Sequence, residues 1–253
     1  MTKVLKTLAA FLSVILMPAV SIAEDINARI VWHDLARLTT PVSGVVASIN
    51  VDVGSQVKAG DVLLKLDQVP FNTTVKSAKA DVAKHTVIRN EAEKELARNQ
   101  EMYDATMLSQ HDLEVTIINQ KTAEADLQRA NTALDQANYA QSKSILRAPF
   151  NGLIVQRNVS QGDTVVTRLQ AEPLYVLAGT EKVIARAVVN EQQLGRAKNT
   201  NQLNVTYAGK QYRGDVRITG QQPGSNGFSI DVVFSPDVSA GVVAGETVTI
   251  SLP

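Results

Sequence analysis

Apolar and polar positions alternate with a period of two on either side of a long stretch of helical period, and the changeovers are abrupt. Residues 41–67 run Pro-Val-Ser-Gly-Val-Val-Ala-Ser-Ile-Asn-Val-Asp-Val-Gly-Ser-Gln-Val-Lys-Ala-Gly-Asp-Val-Leu-Leu-Lys-Leu-Asp, which predicts short strands between glycines. Gly44, Gly54 and Gly60 mark predicted tight turns, where a positive φ or a bare backbone is needed. The design returns from Ala148-Pro149-Phe150-Asn151-Gly152 through Gly162-Asp163-Thr164-Val165, with Gly152 and Gly162 as the matching turn residues. Pro41/Pro149, Gly44/Gly152, Asn50/Asn158, Val51/Val159, Gly54/Gly162 and Val57/Val165 all lie 108 positions apart (149 − 41). The two copies are therefore predicted to close into a single β-sandwich that a long insertion has split.

The 81 positions from Asp67 to Arg147 contain no glycine and a single proline, Pro70, placed where a first helical residue has no N–H to satisfy. Val75, Val82 and Leu96 fall on one seven-residue series and Ala78 and Ala92 on its partner, with His85, Arg89 and Asn99 interrupting. On the return, Leu113, Leu127 and Leu134 share a series with Gln120 and Gln141, while Thr116, Ala123, Ala130 and Ala137 form the other. Small residues opposite leucines predict two antiparallel helices packed along a narrow seam. At 1.5 Å per residue, helices of about 34 residues reach roughly 50 Å. The reversal is predicted near Asp104–Leu108, with Ser109 and Asp112 as a capping box for the second helix. Met107 and Leu108 would then be apolar residues at the end of a polar rod, a position that suggests a partner.

Beyond the second half-motif the period of two resumes. Val183–Val189, Leu203–Tyr207, Tyr212–Ile218, Phe228–Phe234 and Thr247–Leu252 read as strands, with turns at Gly209, Gly224–Gly227 and Ala244–Glu246 and a short helix near Glu191–Ala197. This predicts a small antiparallel barrel, to which residues 24–40 add a strand. The predicted class is α+β, with segments 24–40, 41–67, 68–147, 148–172 and 173–253.

The ends and composition narrow the function. Lys3 and Lys6, an apolar run from Leu8 to Met17 and the small-x-small site Ser21-Ile22-Ala23 read as a signal peptide over residues 1–23, cleaved near Ala23. The run is about half of the roughly 20 residues needed to span a bilayer. With no cysteine, no lipid-attachment site or disulfide framework is expected, and a periplasmic location follows. Twenty-five basic residues balance 25 acidic ones and aromatics make up 4%, which argues against nucleic acid as a partner.

The split motif, its inserted helical hairpin and the following barrel resemble the periplasmic adaptor subunits of tripartite efflux pumps, the HlyD-like membrane fusion proteins. The strongest local signals are Val53-Gly54-Ser55-Gln56-Val57-Lys58-Ala59-Gly60-Asp61-Val62-Leu63 and Leu146-Arg147-Ala148-Pro149-Phe150-Asn151-Gly152. The resemblance implies a lipoyl-like β-sandwich bearing a coiled-coil arm that docks end-on against an outer-membrane channel, and a barrel that faces an inner-membrane transporter. It also implies a ring of copies, or a ring shared with a second adaptor, and no cofactor. Adaptors for resistance-nodulation-division transporters carry an Arg-x3-Leu-x6-Ser pattern at the tip, which Arg98, Met102 and Ser109 match with methionine in place of leucine. The family's membrane-proximal domain is expected to be missing here, because Pro253 closes the sequence and the N-terminal segment is short.

Three rivals remain in view. Adaptors of ATP-driven exporters and type I secretion systems are related subunits, the secretion adaptors generally with a cytoplasmic tail, a transmembrane helix and a longer hairpin. A biotin or lipoyl carrier shares the sandwich but displays its lysine on a tight turn, whereas Lys65 falls inside a strand pattern. An enzyme is disfavoured: His33, His85 and His111 have no metal-ligand spacing, no nucleophile or phosphate-loop motif occurs, and Asp52 and Asp61 read as turn residues.

Overall fold

The computed structural model describes residues 24–167, 172–221, 227–237 and 242–253. The predicted leader (1–23), part of the second half-motif (168–171) and the predicted turn at 224–226 lie outside them. The chain forms two compact units, one built on residues 32–183 and the other on the strands that flank them.

In chain order, β1 (Glu24–Trp32) belongs to the second unit and β2 (Leu35–Leu38) to the first. The first half-motif supplies β3 (Gly44–Ile49), β4 (Gln56–Val57) and β5 (Val62–Leu66). Two helices follow, α1 (Gln68–Asp104) and α2 (Gln110–Lys143). The chain returns through β6 (Ile145–Arg147), β7 (Gly152–Arg157), β8 (Thr164–Val165) and β9 (Tyr175–Gly179). The 108-residue offset holds for the strands themselves: β3 maps onto β7 and β4 onto β8, end for end.

The halves interlock. Each lends its short strand to the other's sheet, giving the orders β2-β9-β7-β4 and β6-β5-β3-β8. Gly44 pairs with Val165 as Gly152 pairs with Val57, and Val45 with Thr164 as Leu153 with Gln56. Loop hydrogen bonds obey the same pseudo-twofold: Gly54 N donates to Ile154 O at 2.8 Å, and Gly162 N to Val46 O at 2.9 Å. Between the sheets Val46, Leu63, Leu64, Leu66, Ile154, Tyr175 and Leu177 are fully buried. Neither half has a core without the other.

Three sequence expectations shift. Segment 24–40 divides, since β2 pairs with β9 in the sandwich. Residues 173–253 likewise yield β9 to the sandwich, where it lies between β2 and β7 and is buried along its whole length. Tyr175 anchors it through Oη to the Val51 carbonyl, 3.2 Å away. The first helix begins at Gln68, with Asp67 as its cap accepting from Val69 N at 3.0 Å, so Pro70 sits third in the first turn, where the N–H is unpaired in any case.

The second unit is a barrel. It contains β10 (Val183–Val189), α3 (Glu191–Lys198), β11 (Gln202–Tyr207), β12 (Lys210–Gln221), β13 (Phe228–Phe234) and β14 (Thr247–Leu252). With β1 the strands close in the order β1-β10-β13-β12-β11-β14. Alternation points Ile26, Ala28 and Ile30 of β1, and Val248, Ile250 and Leu252 of β14, into its core. Asn190 and Gln193 form a reciprocal capping box that starts α3, whose Leu194 and Ala197 are buried. Arg186 holds the buried Asp231 bidentately, with both contacts at 2.8 Å. Asp231, ahead of the opposing cost of burial, keeps the Arg186 guanidinium above its usual pKa.

Candidate docking interface at the hairpin tip

The arm's geometry is set by its seam. Val75 and Ala78 of α1, and Leu113, Thr116, Ala123, Ala130 and Ala137 of α2, are its buried residues, on the two series that the spacing predicts. Alanines let the backbones approach, and polar pairs across the hairpin fix the register: Asn99 Nδ2 donates to Thr116 Oγ1 at 2.8 Å near the tip and Gln141 Nε2 to Asn72 Oδ1 at 2.5 Å near the root. Arg89 pairs its guanidinium with Glu93 of the same helix, 2.6 Å away.

At the far end α1 closes in a Schellman motif. Met107 N donates to Met102 O at 2.8 Å and Thr106 N to Tyr103 O at 2.9 Å, with Ala105 as the C-cap. Thr106 takes the left-handed position, φ 59°. Ser109 then caps α2, its Oγ accepting from Asp112 N at 3.2 Å. The predicted box is half formed. Asp112 is one methylene shorter than the usual glutamate, and its carboxylate accepts from Ser109 Oγ at 2.6 Å instead of from the cap backbone.

These turns put Met107 and Ser109 at the exposed end of the arm, with Met102 in the last turn of α1, Arg98 one turn further back and Leu108 between the two helices. Arg98 is exposed and makes no hydrogen bond or ion pair with a described residue. Met102, one turn on, and Leu108 are half-buried. Met107 is 70% exposed and Ser109 is exposed at the cap. Between residues 91 and 114 lie seven carboxylates and two basic residues, Lys94 and Arg98, with Glu93 paired to Arg89 and Glu91 to Lys94, so this end of the arm is net acidic. An exposed thioether ringed by charge gains nothing in isolation and can fill an apolar groove on another protein.

Thr106 stands beside these residues, inside the reversal predicted near Asp104–Leu108, although the sequence does not single it out as a candidate. A signal was present: helices commonly end on a left-handed residue, and with no glycine from Asp67 to Arg147 any such position at the reversal must fall to another residue type.

The remaining candidates have structural positions. Gly54, Gly60 and Gly162 have φ between 85° and 92° in their turns. Gly44 and Gly152 instead open strands β3 and β7, a correction to their reading as turns; at Gly152 a Cβ would collide with the Ala178 carbonyl oxygen of the adjoining strand. Lys65 lies in β5, paired with Ser48 on one side and Ile145 on the other. Asp52 and Asp61 work in turns: Asp61 accepts from Lys58 N at 2.8 Å, and the Val53 N–H, ahead of Arg157, holds the Asp52 carboxyl below its usual range. Among the described residues no group of three or more His, Cys, Asp or Glu is placed to hold a metal ion, and no helix is long and apolar enough to cross a membrane.

Comparison with known proteins agrees with this architecture. Residues 34–178 match the family model of the CzcB-like barrel-sandwich hybrid domain. The chain is similar to the multidrug resistance protein MdtA of Pectobacterium carotovorum, 27% identical over 167 residues, a match covering 63% of this chain and 40% of that relative. The chain thus spans about two fifths of that relative's length. Among solved structures, the membrane fusion protein Spr0693 from Streptococcus pneumoniae R6 aligns with a TM-score of 0.68 at 15% identity, covering 91% of this chain and 98% of that one. A MacA-MexA chimeric protein containing the Pseudomonas aeruginosa MexA α-hairpin domain aligns with a TM-score of 0.63 at 18% identity, covering 91% and 80%. At such identities these two likenesses speak to the fold.

Proposed function

The chain belongs to the CzcB-like barrel-sandwich hybrid domain family, and on that premise we propose that it is a periplasmic adaptor joining an inner-membrane transporter to an outer-membrane channel for efflux of small molecules. One observation carries the reading: a stiff two-helix arm, rooted in an interlocked sandwich, ends in the exposed apolar apex of Met107. The role is mechanical and non-enzymatic. Arg98, Met102, Met107, Leu108 and Ser109 form the channel-docking surface, and the Arg98/Met102/Ser109 spacing favours a transporter of the resistance-nodulation-division type.

Residues 1–23 act as the export signal, and several copies line one conduit, because a single hairpin cannot enclose a passage. Outward-facing Val115 and Ile118 on α2, 41% and 62% exposed, support lateral packing of neighbouring arms. The similarity to a multidrug resistance protein supports small organic compounds as cargo.

The test exploits the absence of cysteine from the chain. Single cysteines placed at Met102 or Ser109 and treated in intact cells with a maleimide–succinimidyl ester crosslinker, which joins the thiol to a lysine amine of a neighbour, are expected to trap an outer-membrane channel protein, identified by mass spectrometry. Trapping only soluble periplasmic proteins, or nothing, would remove the docking role.

A further inference from the structure

Two non-glycine residues among those described have positive φ, Thr106 (59°) and Ala208 (49°). Ala208 has a local reason. With Gly209 it forms the two-residue loop between Tyr207 and Lys210, which are paired at the ends of β11 and β12, and such tight hairpins require positive φ. Thr106 has no such reason to be threonine. It occupies the left-handed position of a Schellman motif, where glycine is preferred and asparagine is next best. A β-branched side chain is the worst tolerated there, since its Cβ substituents crowd the flanking carbonyls. The side chain gains no compensation within the arm: it is exposed and makes no hydrogen bond to a described residue. Strained conformations held at exposed positions cluster at sites that bind something.

We infer that Thr106 is itself a contact residue of the tip, its hydroxyl hydrogen-bonding a polar group on the rim of the protein groove that receives Met107. This rests on the docking reading above. The neighbours fit the role. The left-handed turn at Thr106 reverses the chain, so that Met107 leaves the end of α1 70% exposed, and Ala105 on the other side is small and exposed. The threonine hydroxyl and the methionine side chain thus follow one another at the apex, one offering a hydrogen bond and the other apolar volume. Such a pair suits a partner surface made of helix ends, where unpaired carbonyl groups border apolar side chains.

The inference makes stability and docking move in opposite directions. In Thr106→Gly, amide exchange at Met107 N–H, the bond to Met102 O, should slow about fivefold as the strain is released. Crosslinking from a cysteine at position 102 to the outer-membrane channel should nevertheless fall about fivefold or more. Thr106→Ser, which keeps the hydroxyl, should retain crosslinking near the unsubstituted level. Ala208→Gly serves as the control: it relieves strain in the barrel and should leave crosslinking unchanged. If Thr106→Gly docks as well as threonine, the residue is merely tolerated and the inference falls while the docking reading stands. If the protein with a cysteine at position 102 and Thr106 retained traps no channel, the docking reading falls and takes this inference with it.

Discussion

His85 occupies a seam position of α1, yet its Nδ1 is buried and finds no hydrogen-bond partner among the described residues. Its neighbours on the seam show what satisfaction looks like: Asn99 reaches Thr116 at 2.8 Å, and Arg89 escapes to Glu93 at 2.6 Å. A buried polar atom left unpaired costs about 1–3 kcal/mol. His85→Leu should therefore stabilise the arm by about 1 kcal/mol, raising the melting temperature by about 2–4 °C in a chain of this size. A lowered melting temperature would mean that the imidazole packs better than leucine does. All three interruptions of the apolar series were legible in the sequence, but their fates were not. Whether a seam residue is paired, extruded or stranded depends on which residue of the other helix stands opposite, and that register follows from the finished hairpin. Thr106 is the converse case: the reversal was located at Asp104–Leu108 and lacked a glycine, but which of those residues takes the left-handed position depends on where α1 ends.

At the scale of elements, the two helices were the easiest part to read, because a seven-residue repeat needs no knowledge of distant strands. The same repeat identifies where the arm is least tolerant. Ala130 is 8% exposed on α2, among alanines that let the helices approach. Ala130→Trp should overpack the seam and destabilise the arm by about 1–3 kcal/mol, read as a lower melting temperature and loss of helical circular dichroism. An unchanged melting curve would show that the seam does not close at this point. The strands were legible as strands but not in their allegiance. Periodicity marks β2 and β9 as extended, yet only pairing assigns them to the sandwich rather than the barrel. One clue was available for β9: Tyr175-Val176-Leu177-Ala178-Gly179 is a continuous apolar run, the pattern of a strand covered on both faces. The glycines at 44 and 152 were found for the wrong reason, because a turn glycine and a close-packing glycine look alike without the neighbouring strand.

The whole molecule poses a folding question, because the sandwich core is assembled from halves 108 positions apart (152 − 44) and neither half can bury its leucines alone. The arm answers it locally. A helical hairpin forms from short-range contacts and brings its two ends together, so the intervening residues cease to act as a long flexible loop. At its root the ends already meet as neighbouring strands: Lys65 pairs with Ile145, Leu66 N donates to Ser144 O at 2.9 Å, and Gln68 Nε2 donates to Ser144 Oγ at 2.9 Å. Every fully buried member of the sandwich core lies outside the helices, and from the arm only Phe71 packs against it, partly buried. The arm is thus a projection from a body that is complete without it. Replacing residues 69–143 with a four-residue glycine/asparagine turn should therefore leave a folded, soluble protein. Losing the partial burial of Phe71 should lower its melting temperature by only a few degrees. The β-type circular dichroism should survive while the helical signal disappears. Refolding should stay fast, because the turn closes the same gap that the hairpin closes now. The shortened protein should trap no outer-membrane channel. Aggregation or loss of the β signal would instead mean that the arm is needed to hold the sandwich halves together, and would end its description as a separable probe.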